Sequence, residues 1–346
     1  AGGGSVTLPL LLLQLLVCAA LIARAGFVLS ASADRLATAH GWGRGWVGLA
    51  LLATVTSLPE LASGISAVAL VGAPNLAVGN ALGACVVNLA FLVVVDALQR
   101  RQPMYRDASA THLLSAGFGV VMLGFVAMSL LTGARVPAVL HVGLYSPALL
   151  GLYLLALRGV HAHEQRAMRV MAAAASAGPG AAPPAEGIDT QREWRRFALA
   201  GLVVLAAGTW LPQVGDALAQ TLGLSRSFVG TVFMAVITTL PEMAVTLGAL
   251  RLGALDMAIG NLLGSNLFNV LVLAVDDLFY TPGPLLAAVA PVHASTAVTA
   301  MVMTGLVIIG LVMRPQGRVL RVVGWVSVGL VAACVINAAL AFLSAT

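Results

Sequence analysis

The chain of 346 residues has no lysine; all 18 of its basic residues are arginine. That absence excludes a Walker-type phosphate loop and a Schiff-base or catalytic lysine, and with them an ATP-driven pump built from this chain alone. Charge of either sign is scarce, at 9% of residues against about 25% in soluble domains, which excludes a water-soluble globule. The three cysteines, Cys18, Cys85 and Cys334, lie far apart inside apolar runs, so they read as small buried residues rather than a metal cluster. No H-E-x-x-H or G-x-S-x-G pattern and no pair of mid-depth aspartates occurs, so an intramembrane enzyme is not expected.

What the chain has in place of charge is apolar length. A bilayer core of roughly 30 Å needs about 20 apolar residues per helical span. Windows between charge and Gly/Pro breaks give ten candidate spans, near 6–30, 45–70, 75–97, 111–132, 137–157, 197–219, 227–250, 255–279, 286–312 and 319–343. The reading is an all-α polytopic membrane protein. Assigning loops alternately to two sides gathers fifteen arginines on one side, from Arg35 and Arg44 to Arg318 and Arg321, and leaves only Arg135 and Arg226 opposite. The positive-inside rule then puts both termini outside and the loops after odd-numbered spans in the cytoplasm. The net charge of +5 therefore follows from topology and gives no basis for nucleic-acid binding. The run from about Val6 is long enough to span, so no cleavable signal is expected.

An internal repeat organises the spans. Residues 34–60 match 216–242 at an offset of 182, identical at twelve of 27 positions that include Asp34/Asp216, Arg44/Arg226, Gly48/Gly230, Pro59/Pro241 and Glu60/Glu242. A second block, Gly79-Asn80 through Asn88, matches Gly260-Asn261 through Asn269 at an offset of 181, with the one-residue slip expected in the short connection between blocks. The copies lie in spans 2 and 7, five steps apart, so they cross the membrane in opposite directions, as two inverted-topology five-helix repeats do in many secondary transporters. The expected organisation is a first repeat over 1–157, a cytoplasmic, disordered linker over 158–196 and an inverted second repeat over 197–346. Residues 171–184 are rich in Ala, Gly and Pro, and 172–188 contain no calcium-loop pattern. His161, His163 and Glu164 read as solvated polar sequence, with metal binding the minor alternative.

Glu60 and Glu242 fall mid-span, where an ionised carboxylate costs roughly 2.5 kcal/mol or more unless it is paired or faces water. No Lys exists and no Arg lies within two turns, so the partner expected is a bound cation. Pro59 and Pro241 should free the carbonyls of Val55 and Ile237, and Thr56, Ser57, Thr238 and Thr239 stand within one turn of each Glu. Such an all-oxygen set suits Ca²⁺ or Na⁺. Gly79-x-x-x-Gly83 and Gly260-x-x-x-Gly264 are seams for close helix approach. Asn88, Asn269 and Ser265 are read as ligands, while Asn80 and Asn261 are assigned to packing or to hydrogen bonds behind the site. Asp34 and Asp216 should cap or be solvated, and Asp96 and Asp277 should lie near the interface, with an entry-vestibule role as the alternative.

On the motifs Thr56-Ser57-Leu58-Pro59-Glu60 with Gly79-Asn80 to Asn88, and Thr238-Thr239-Leu240-Pro241-Glu242 with Gly260-Asn261 to Asn269, the chain resembles the cation/Ca²⁺ exchanger superfamily. Within it the compact prokaryotic Na⁺/Ca²⁺ exchangers are the nearest branch. The resemblance implies an antiporter of the prokaryotic plasma membrane, with ion sites grouped at mid-membrane and the first and sixth helices sliding across a core. It implies Na⁺ and Ca²⁺ as transported ions, no cofactor, the bilayer as surroundings and no obligate protein partner. Three departures stand out: Ala84 where the second copy has Ser265, Asn269 where potassium-dependent members have Asp, and Cys85 opposite Asn266. They leave Glu60 and Glu242 as the only buried carboxylates expected. That charge of −2 balances one Ca²⁺ and predicts no K⁺ requirement, and the set differs from that on which the usual three-sodium stoichiometry rests. The H⁺/Ca²⁺ branch is the alternative, but it carries a Glu shortly after the Gly-Asn, where this chain has Leu82 and Gly83, and Leu263 and Gly264. A cation channel could use the same oxygens, but inverted repeats favour alternating access.

Overall fold

The computed structural model describes residues 8–99, 103–135, 137–176, 188–221, 234–315, 317–319 and 322–343, and these are mostly helical. Six helical stretches among them are long and apolar enough to cross a membrane: 8–40, 44–71, 74–98, 112–132, 255–279 and 292–313. The chain is an integral membrane protein. Helix α1 (Leu8–His40) outruns the expected 6–30, because its Ala- and Leu-rich continuation stays helical until Gly41. The next crossing is a broken rod: α2 (Arg44–Val47), a π segment (Gly48–Leu52), α3 (Ala53–Thr56), a turn at Ser57, α4 (Leu58–Ser66) and a second π segment (Ala67–Val71). It leads to α5 (Pro74–Leu98), short α6 (Met104–Asp107) and α7 (His112–Thr132).

Two short strands, β1 (Ala138–Val139) and β2 (Val142–Gly143), pair antiparallel. Helix α8 (Tyr145–Ser176) therefore starts later than the 137–157 window suggested, and it also runs on into the expected linker. The linker reading is corrected at both ends, since α9 (Thr190–Thr221) begins before 196. Residues 177–187 lie outside the described residues, as do Arg100, Arg101 and Arg226. The extension is helical because it has a packed face. Glu164 is buried and accepts the Trp46 backbone N–H at 3.0 Å, and the His161 ring lies 4.8 Å from the Trp46 ring. Glu164 is thus not solvated. Burial raises its carboxyl above the usual range, partly offset by the Trp46 N–H and His112. His163 is exposed, and no cluster of three metal-ligating side chains occurs among the described residues.

In the second half, α10 (Met234–Thr238) and α11 (Leu240–Arg251) form the counterpart of the broken rod, whose first part lies outside the described residues. Then come α12 (Leu255–Phe279), α13 (Val292–Met313) and α14 (Trp325–Leu343). Helix α12 occupies the centre and is almost wholly buried. A side chain on Gly260 would collide with the Gly45 carbonyl, and one on Gly264 with the Leu49 backbone, so this seam seats the α2–π segment. Gly72 and Gly253, equivalent in the two halves, both take the left-handed conformation (φ 66° and 70°) that turns each broken rod into the next helix. The one-residue slip between repeats finds its place just before Gly72: the first copy winds Ala67–Val71 as a π turn, which absorbs one extra residue, whereas α11 is plain α-helix. The slip belongs to the helix, not to the connection.

Candidate functional site

Both broken rods fail at the same point. The backbone at Ser57 (φ −92°, ψ 7°) and at Thr239 (φ −83°, ψ 2°) leaves the helix for one residue, and α4 and α11 restart with Pro59 and Pro241 in their first turns. Proline is tolerated there because first-turn N–H groups have no intrahelical acceptor. The sequence reading expected each proline to remove one backbone bond within its helix; the helix in fact stops for one residue and restarts with the proline in its first turn. Interruption places Glu60 and Glu242 in the first turns of α4 and α11, where the positive end of the helix dipole favours a carboxylate.

Every candidate side chain is buried: Thr56, Ser57, Asn88, Thr238, Thr239, Glu242, Ser265 and Asn269 have no exposed surface, and Glu60 has 1%. The Ser57 hydroxyl donates to Glu242 Oε1 at 2.8 Å, joining the two halves, and Thr238 donates to Asn80 Oδ1 at 3.2 Å. The hydroxyls of Thr56 and Thr239 donate back to carbonyls of the preceding turn, and that of Thr238 shares its one proton between Asn80 Oδ1 and the Ala235 carbonyl, which leaves the oxygen lone pairs of all three available. Neither Glu60 oxygen has a hydrogen-bond partner, and neither do Glu242 Oε2, the amide groups of Asn88 and Asn269, or Ser265 Oγ. Buried polar atoms are nearly always satisfied, and an unpaired one costs about 1–3 kcal/mol. So many together make an arrangement that can strip and hold a cation. The Asn261 amide nitrogen donates to the Glu242 carbonyl at 3.2 Å and to Thr246 Oγ1 at 3.1 Å, while its buried Oδ1 has no hydrogen-bond partner.

Cys85 and Asn266 hold equivalent places and cross-pair: the thiol donates to the Asn266 carbonyl at 3.7 Å and the Asn266 amide to the Cys85 carbonyl at 3.3 Å. The exchange of Asn for Cys thus falls at a helix crossing between α5 and α12.

The carboxylate count needs correction. Asp96, Asp276 and Asp277 are fully buried, as Glu60 and Glu242 are. Asp277 accepts from the Gly143 N–H (2.8 Å), Tyr145 Oη (2.6 Å), Ser146 Oγ (2.5 Å) and the Leu285 N–H (2.7 Å). Asp96 accepts from the Met104 N–H (3.1 Å), the Gly324 N–H (2.7 Å) and Ser327 Oγ (2.7 Å). The offset of 181 maps Met104 onto Leu285, Gly143 onto Gly324 and Ser146 onto Ser327, so the two networks are copies. Each aspartate fastens the entry to the last helix of the opposite half. A vestibule role is replaced by this structural one, and the continuing offset was the signal that could have found it. Asp34 pairs with Arg44 at 2.6 Å; the Asp216 side chain is not among those described.

The chain matches the sodium/calcium exchanger protein family over residues 10–158 and 194–340. It is 29% identical over 248 residues, 70% of this chain and 72% of the other, to the putative antiporter CaxA of Alkalimonas amylolytica. It is 44% identical over 63 residues, 18% of each chain, to the sodium/calcium exchanger MaX1 of Methanosarcina acetivorans. Among solved structures, the sodium-calcium exchanger NCX_Mj soaked with Na⁺ and Sr²⁺ superposes with a TM-score of 0.73 at 19% identity, covering 96% of this chain and 99% of that one, which makes the fold the same. With the family match running through both halves and both broken rods, the chain belongs to the sodium/calcium exchanger protein family, a family of transporters rather than enzymes.

Proposed function

We propose that the protein is a secondary antiporter that exchanges Na⁺ for Ca²⁺ by alternating access, built as ten transmembrane helices in two inverted five-helix repeats. The observation that carries this is the pair Glu60 and Glu242, buried, without a basic partner among the described residues and joined across the halves by Ser57. Their charge of −2 balances one Ca²⁺, and Thr56, Ser57, Thr238, Thr239, Asn88, Asn269 and Ser265 complete an oxygen cage that replaces water around Ca²⁺ or Na⁺. Support for the inverted repeat comes from the two matched breaks, the left-handed glycines and the duplicated aspartate networks. In this reading α8 and α9 are joined on the cytoplasmic side, both termini lie outside, and 1–157 and 197–346 are the two repeats. The membrane is a prokaryotic plasma membrane. Helices α1 and α9, held together by Arg35 and Ser32 on Glu193, are the pair that slides.

The test is ⁴⁵Ca²⁺ uptake into proteoliposomes under separately imposed Na⁺ and H⁺ gradients. Uptake driven by an outward Na⁺ gradient, saturable and dependent on the counter-ion, is expected. Uptake driven only by a pH gradient would make H⁺ the coupling ion, and flux without a counter-ion would make the protein a channel.

Ala84 is fully buried at the position equivalent to Ser265, whose hydroxyl has no partner. Ala84→Ser adds an oxygen to the Na⁺ cage. A hydrogen-bond-scale gain of about 0.5–1.5 kcal/mol should lower the half-activating Na⁺ concentration several-fold, with a smaller effect on Ca²⁺. An unchanged Na⁺ activation curve would mean that Ala84 does not line the site.

A further inference from the structure

Among the described residues one carboxylate with no exposed surface takes part in neither the cage nor the aspartate networks. Asp276 has no exposed surface, and neither of its oxygens has a hydrogen-bond partner. Its carboxylate lies against Gly64 of α4, so close that a methyl group there would overlap both oxygens. Gly64 is four residues beyond Glu60. Residues i and i+4 share a helix face about 5–6 Å apart, so Asp276 stands one turn of α4 from the cage, on the side of Glu60. The fold does not require an acid here. The equivalent of Asp276 in the first half is Val95, and the equivalent of Gly64 is Thr246, whose hydroxyl is taken by Asn261. The charge therefore stands in one half only, in a space that Gly64 leaves open.

We propose that Asp276 forms a monovalent-cation site, one helical turn from the Glu60–Glu242 cage and at the end of the pathway where α4 and α12 finish. An unpaired carboxylate in a dry interior is neutralised either by a proton or by a bound cation, and among the described residues no basic side chain forms an ion pair with Asp276. One carboxylate carries −1 and neutralises a monovalent ion, whereas the two glutamates neutralise Ca²⁺. When ionised, Asp276 adds a negative charge of its own outside the pair that balances Ca²⁺, which changes the expectation drawn from the glutamates alone: it leaves room for an additional Na⁺ or K⁺. As to function, this rests on the exchange reading, since the site would load the counter-ion that Ca²⁺ replaces.

The test is equilibrium binding of ²²Na⁺ and ⁸⁶Rb⁺, the latter as the K⁺ probe, to the purified full chain, which does not depend on transport. In Glu60→Gln/Glu242→Gln one monovalent ion per chain should remain, and adding Asp276→Asn should remove it. Gly64→Ala, which displaces the carboxylate without changing its charge, should weaken the same binding and serves where the triple variant does not fold. Retention with ²²Na⁺ identifies a sodium site and retention with ⁸⁶Rb⁺ a potassium site. No monovalent ion in the glutamate double variant, or one that survives both Asp276→Asn and Gly64→Ala, overturns the proposal. Failure of Na⁺-driven Ca²⁺ flux in the wild type would overturn the exchange reading instead and leave this result standing.

Discussion

Glu60→Gln and Glu242→Gln are each expected to reduce Ca²⁺ flux on the order of a hundredfold or more, while the protein stays folded. Each change removes half of the charge that compensates a divalent ion in the proposed site, which has no basic residue among the described ones, and a neutral amide is a far poorer partner for Ca²⁺. Folding should not suffer. An ionised carboxylate at mid-membrane depth costs roughly 2.5–3.5 kcal/mol, and Glu60 has no hydrogen bond to lose. Thermal unfolding in Ca²⁺-free buffer should therefore occur at the same or a higher temperature than in the wild type. The rise in unfolding temperature that Ca²⁺ gives the wild type should disappear. Substantial flux in either variant would remove the glutamates from the transport site.

Asp277→Ala should behave in the opposite way and lose the fold. Four donors converge on that carboxylate, two from the entry to α8, one from the Tyr145 hydroxyl and one from the turn before α13. Each buried donor left unpaired costs about 1–3 kcal/mol, so destabilisation on the order of 4 kcal/mol or more is expected. Asp96→Ala, with three donors, should be less severe. Thermal unfolding in detergent, with yield after membrane extraction, reads both. A stable Asp277→Ala protein with impaired transport would return this residue to the ion pathway. Fully buried carboxylates among the described residues thus divide by partners: Asp96 and Asp277 are filled with donors and hold helices, and Glu60, Glu242 and Asp276 keep oxygens without a partner, where the proposed ion sites lie.

Much of this was legible in sequence because membrane solvation is a one-dimensional constraint. Apolar length marks each crossing, and the window 255–279 coincides with α12. The duplicated T-x-L-P-E blocks brought Glu60, Glu242, Ser57 and Thr238 to one place for the same reason: a carboxylate in an apolar run has few physical solutions. What was not legible depended on partners in three dimensions. The run His161-Ala162-His163-Glu164 is polar enough to look like a loop, and only the Trp46 backbone and ring give it a face to fold on. Asp96, Asp276 and Asp277 sit near helix ends in sequence, where solvation is the default. Their burial follows from loops and glycines of the other half. The slip between repeats looked like a loop difference because a π turn has no composition signal.

The central claim is that the two halves build one Ca²⁺ site between them rather than one site each. Calorimetric titration of the purified full chain with Ca²⁺ in Na⁺-free buffer tests it most directly. The account predicts one Ca²⁺ per chain in the wild type and none at comparable affinity in either Glu60→Gln or Glu242→Gln. Two Ca²⁺ per chain, with each substitution removing only one, would contradict it.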